Sequence, residues 1–188
     1  VLPDENECWW GGLGMMPGEM TWMNSIDVGV FAHELGHNMG LAHANGCIGS
    51  TTVSVIQQCR HNEYGDPTDV MGYGEDVFGY NAAYLRQLGW ISDTKIQTWT
   101  GGSVNVTLSA LRNASGATRA VRIPMATTFG EQGPGEFWIQ FRNEDSFWPR
   151  SGVYMNLIPT TDHITNAVSN ISSRVAGPGL FTWLCDLT

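Results

Sequence analysis

Between residues 24 and 39, apolar side chains recur in the three- and four-residue steps of a helix: Val28, Phe31, Ala32, Leu35 and Met39. That spacing predicts an amphipathic helix with these residues as its buried stripe. Asn24-Ser25 offers an N-cap, and Asp27 falls in the first turn, where a carboxylate meets the positive end of the helix dipole. A second helix is expected over residues 81–88, closed by Gly89. From Lys95 onward the pattern shortens to β-prone runs at 96–99, 103–108, 119–123, 137–141 and 153–157. Turn clusters separate them at Gly101-Gly102, 113–116, 130–135 and 149–152. The class is therefore α+β. A helical region over 1–92 precedes a β-rich region over 93–188, expected to form a small antiparallel sheet or sandwich.

The polar positions of the first helix carry the chemistry. Residues 33–43 read His-Glu-Leu-Gly-His-Asn-Met-Gly-Leu-Ala-His. At this chain's composition, a chance HExxHxxGxxH match has a probability on the order of 10⁻⁵. Positions i and i+4 share a helix face, so His33 and His37 can bind one Zn²⁺. Gly40 lets the chain leave the helix, and the turn brings back His43 as a third ligand. Three histidines leave a coordination position for water, as catalytic zinc sites do. Zinc lowers the pKa of that water, and Glu34 is placed to take its proton during attack on a peptide carbonyl.

Downstream, Asp69-Val70-Met71-Gly72-Tyr73-Gly74 resembles the Met-turn of the metzincin clan, with Met71 lying 71 − 43 = 28 residues past His43. The resemblance implies that Met71 floors the histidine site. It also implies that Tyr73 is a fifth zinc ligand or a donor to the oxyanion. Within the clan the chain is most similar to the gametolysin family, secreted enzymes that digest matrix glycoproteins. The carrying segments are Gly11-Gly12-Leu13-Gly14, the signature, residues 64–72, residues 81–90, residues 136–142 and Gly152-Val153-Tyr154. The implied fold is a metzincin-like zinc-helix and Met-turn subdomain ahead of the β-rich part. Such domains usually carry a sizeable sheet-bearing subdomain before the zinc helix, whereas 32 residues precede His33 here. A fragment, a processed product or a shortened enzyme is thus expected, with residues 9–22 supplying one edge strand for substrate backbone.

Composition narrows the partners. The net charge is −9, with Lys and Arg together numbering nine in 188 residues, which argues against nucleic acid. No apolar run reaches the 18 residues of a membrane span, and no secretory signal or pro-segment is read. Four cysteines suit an extracellular protein; Cys47–Cys59 with Cys8–Cys185 is the preferred of three connectivities. Sequons at Asn105, Asn113 and Asn170 carry meaning only in a eukaryotic secreted chain. Asp66, Asp69, Glu75 and Asp76 offer oxygen ligands for a structural Ca²⁺, though loop solvation and turn capping explain them as well. His61 and His163 read as surface residues. Trp138, Trp148 and Trp183 serve either a docking surface or, preferably, the core.

The expected function is a secreted zinc endopeptidase acting on extracellular or matrix glycoproteins. The competing expectation is a catalytically incompetent zinc-binding fragment or matrix-binding protein. Oligomeric state is not legible in the sequence.

Overall fold

The chain enters the histidine-bearing helix through a hairpin in the computed structural model, which describes residues 10–48, 60–66, 68–72, 79–128, 134–143 and 152–159. Strand β1 (Gly12–Gly14) pairs antiparallel with β2 (Thr21–Met23), Leu13 opposite Trp22. Helix α1 spans Val28–Asn38. Its N-cap is Asp27, whose Oδ1 accepts from Val30 N at 3.0 Å, rather than Asn24 or Ser25. Both alternatives are engaged elsewhere: Ser25 Oγ accepts from Asp27 N, and Asn24 Nδ2 donates to Trp10 O. At the other end, Asn38 Nδ2 donates to Met15 O and Met20 O, tying the hairpin loop to the helix.

The buried face of α1 is not the expected one. Val28, Phe31, Leu35 and Met39 are 65%, 48%, 38% and 39% exposed, while Gly29, His33, Glu34, Gly36 and His37 are buried. Helical period finds the two faces of an amphipathic helix but does not say which one another element covers. Here β1 lies against Val30, Glu34 and His37, where its own glycines permit a close approach. The polar groups buried on that side have hydrogen-bond partners, which makes their burial tolerable.

Beyond α1, β3 (Gly46–Ile48) pairs with β4 (Arg60–Asn62). The described residues divide into two packed units. One is drawn from Val1–Gly46 and His61–Val77, the other from Cys47–Arg60 and Phe78–Thr161. The first buries Trp10, Met16, Met23, Leu41, Ala44, Val70 and Met71.

The second unit sets helix α2 (Ala82–Gln87) against a four-stranded sheet of β5 (Ile96–Thr98), β6 (Ala120–Thr128), β7 (Pro134–Arg142) and β8 (Gly152–Pro159). Asn81 caps α2, and Gly89 closes it at φ 73°. The sheet is mixed rather than purely antiparallel: β5 runs parallel to β6, while β6–β7 and β7–β8 are antiparallel. A parallel pair needs a crossover, and residues 99–119 make it. For that reason the β-prone run at 103–108 forms no strand; only Ala110 nearby bridges to Phe141. Trp138 is buried with Ala82, Ile91, Leu111 and Ala120, so it serves the core. Trp148 and Trp183 lie outside the described residues, as do Cys8, Cys59 and Cys185, and the side chain of Cys47 is not described either.

Candidate metal centre

Two of the three histidines are brought together by α1. His33 and His37, one turn apart, bring their ring centroids to 4.8 Å. The helix then ends in paired bonds, Gly40 N–H to His37 O at 2.8 Å and Leu41 N–H to Gly36 O at 2.9 Å. Gly40 sits at φ 87°, the left-handed conformation that this ending requires and that glycine adopts without a Cβ clash. The turn delivers His43 to 5.3 Å from His33 and 4.8 Å from His37, centroid to centroid. The ligand-capable nitrogens of all three lie within 4.8 Å of one another.

Hydrogen bonds fix which nitrogen of each ring faces inward. His33 Nδ1 lies 2.7 Å from Val70 O, and His37 Nδ1 lies 2.8 Å from Leu41 O. A carbonyl only accepts, so each Nδ1 carries the proton and each Nε2 keeps its lone pair. His43 Nδ1 lies 2.9 Å from Glu63 Oε1, with the same consequence. His37 Nε2 and His43 Nε2 then face each other across 3.0 Å. Two lone pairs at that distance repel unless a proton or a cation lies between them. Burial disfavours the proton: it lowers His33 to about 4 and His37 to about 3, and it lowers His43 as well. A tetrahedral zinc ion with bonds of 2.0–2.1 Å sets its nitrogens about 3.3 Å apart, close to the 3.0 Å between His37 Nε2 and His43 Nε2, so three neutral imidazoles converging here are a donor set suited to such an ion.

Glu34 lies on the same buried side. Desolvation raises its carboxyl to about 7, opposed by a hydrogen bond from Gly14 N–H. A nearby dication would pull it back toward the ionised form. The glycines of β1 shape this pocket. A Cβ on Gly12 would stand 2.6 Å from Glu34 Cγ, and one on Gly14 would stand 2.5 Å from Glu34 O.

The turn containing Met71 is tied to the histidine cluster through its backbone. Met71 is fully buried, its N–H bonded to Asp69 Oδ1 at 2.8 Å. Its carbonyl accepts from Ala44 N at 2.8 Å, directly after His43, while the neighbouring Val70 carbonyl holds His33. Asp66 Oδ1 accepts from Thr68 N, and Asp66 N donates to Ala44 O. Asp66 and Asp69 thus act as turn acceptors, and nothing among the described residues supports a Ca²⁺ site. Tyr73, Glu75, Asp76 and His163 lie outside the described residues.

Tyr64 lies against the histidine cluster. Its ring is tilted against the imidazoles, centroid 3.9 Å from that of His43 and 5.7 Å from that of His33. Its backbone is left-handed, φ 61°, a conformation that costs a bulky residue about 1–3 kcal/mol. Burial, helped by Glu63 and Glu34, raises its hydroxyl to about 12, so the phenol stays protonated at neutral pH. Reading by motif overlooked Glu63 and Tyr64. Residue 64 opens a segment similar to the gametolysin family, but no fixed spacing links either residue to His43.

A sequence model of one family, described as gametolysin peptidase M11, matches residues 1–134 of the 188. No curated protein and no solved structure matches the chain. The histidine cluster, Glu34 and the Met71 turn all fall inside the matched span, and the chain belongs to the gametolysin peptidase family.

Proposed function

We propose that the chain is a zinc endopeptidase of the metzincin clan, cutting extracellular or matrix glycoproteins outside the cell. The observation that carries this reading is the convergence of three neutral imidazoles, each with its outer nitrogen committed to an acceptor, beside a buried carboxylate. His33, His37 and His43 hold the metal. Zinc, when bound, supplies Lewis-acid activation of water and of the scissile carbonyl. Glu34 takes the proton of the attacking water on a carboxylate oxygen and passes it to the leaving amine. Met71 supports the histidines from beneath. Tyr73, from its place two residues after Met71, donates to the developing oxyanion. The secreted setting is supported by the even cysteine count and by the resemblance to secreted gametolysins.

Gelatin cleavage by the purified chain, with and without a zinc chelator, tests the reading. Chelator-sensitive cleavage is expected. Glu34→Ala should keep stoichiometric zinc and lose about 10²–10⁴-fold in turnover. Cleavage that persists in Glu34→Ala would remove the proposed base. A folded, zinc-loaded chain that cuts nothing would instead favour a zinc-binding fragment without activity.

A further inference from the structure

Glu63 and Tyr64 take no part in the chemistry above, yet both touch His43. What they do follows from how differently the three ligands are held, and it rests on the zinc reading of the site. The helical turn fixes His33 against His37, and main-chain carbonyls fix the rotation of each ring. His43 lies past the helix. Its neighbour Ala44 is anchored at both polar groups, N–H to Met71 O and carbonyl to Asp66 N–H, so the backbone here is set. The imidazole must still be held against rotation about its own side-chain bonds.

Two consecutive residues do this from two directions. Glu63 Oε1 takes the Nδ1 edge at 2.9 Å, and the Tyr64 ring covers the face at 3.9 Å. Adjacent side chains of an extended segment point to opposite sides and cannot both reach one ring. The left-handed backbone of Tyr64 removes that obstacle, and Asn45 Oδ1 holds it by accepting from Tyr64 N at 3.2 Å. Asn45 lies two residues past His43, so the ligand and its holders are stitched together locally. We propose that Glu63 and Tyr64 form a positioning clamp on His43 that aims its Nε2 and sets the zinc affinity of the third ligand. The Glu63 side chain is 57% exposed, and a contact so exposed adds little to folding stability. Its effect is therefore separable from folding. An outer carboxylate also strengthens an imidazole as a donor, and losing such a partner usually weakens metal binding about 10–100-fold.

The test is zinc affinity by chelator competition, with the visible absorption of the Co²⁺ form as a second readout. Glu63→Ala should bind zinc about 10–100-fold more weakly and change the Co²⁺ spectrum, with the metal-free melting temperature unmoved. Glu63→Gln keeps an acceptor for Nδ1 without the charge and should recover part of that loss. Tyr64→Phe should match wild type, because the ring does the covering, whereas Tyr64→Ala should weaken binding. Wild-type affinity and spectrum in Glu63→Ala would overturn the clamp and leave the zinc site standing. If His37→Ala bound zinc as tightly as wild type, the zinc reading would fall and the clamp with it.

Discussion

Gly12 and Gly14 contribute to the site through the side chains they lack. Strand β1 lies so close to α1 that a methyl group at either position meets Glu34, at the side chain for Gly12 and at the backbone for Gly14. The two cases predict different failures. Gly12→Ala meets the Glu34 side chain at Cγ and Val30 Cγ1, so Glu34 must shift; zinc stoichiometry should survive while turnover falls at least about 10-fold, the result expected if the proposed general base is misplaced. Gly14→Ala presses on a helix carbonyl that has no rotamer to escape into, and should cost about 1–3 kcal/mol of stability. Zinc content, turnover and denaturant midpoints on the two variants check this. Equal loss of turnover and stability in both would mean that β1 merely packs. At this scale, legibility was uneven. The spacing in residues 33–43 made the convergence of the three histidines legible, because one helix turn and the Gly40 ending link spacing to position. The glycines of β1, and Glu63 and Tyr64, reach the site by tertiary approach, which no local period encodes.

Helix α1 shows the same limit for whole elements. Its period was readable and its cap nearly so, but the covered side was inverted: the apolar residues face outward and the glycine, histidine and glutamate side packs on β1. The sheet was readable where consecutive strands pair directly, as in β6, β7 and β8. It failed at 103–108, where β-prone residues lie in a crossover that the parallel β5–β6 pair demands. The inverted face gives a direct prediction. Phe31→Ser and Leu35→Gln should each change stability by no more than about 0.5 kcal/mol, as surface substitutions do. Leu41→Ala, at a fully buried position just past the helix, should cost about 2–5 kcal/mol. Asp27→Ala should cost about 1 kcal/mol by removing the cap. Chemical denaturation of the metal-free chain decides. A loss of several kcal/mol at Phe31 or Leu35 would show that the apolar face is covered in solution.

For the whole molecule, the buried histidines tie folding to acidity before any metal binds. In the unfolded chain, His33, His37 and His43 take up protons near their ordinary 6.5, whereas folded His33 and His37 resist until about 4 and about 3, with His43 also lowered. Between those limits the unfolded state holds more protons on these groups, so their stability contribution is present above pH 6.5 and is lost as pH falls. Glu34 works in the opposite sense. Its folded carboxyl is raised from 4.5 to about 7, so its contribution is present below 4.5 and is lost as pH rises. His33 and His37 outweigh Glu34 in the overlap, with His43 adding in the same sense, so unfolding takes up protons there and the metal-free protein should destabilise from about pH 6.5 to about 4.5. Zinc follows a different course. Protons compete with metal for exposed histidines near 6.5, whereas burial lowers all three histidines here and so weakens that competition in the folded state. Zinc at 100 times its dissociation constant adds about 2.7 kcal/mol at neutral pH. Much of that increment should survive to pH 5, when an exposed three-histidine site would have lost most of it. Melting temperatures across pH 4.5–7.5, with and without zinc, separate the two cases. If the zinc increment collapsed between pH 7 and 6 with a three-proton slope, the histidines would be solvent-exposed, and the burial that disfavours their protonation would be refuted.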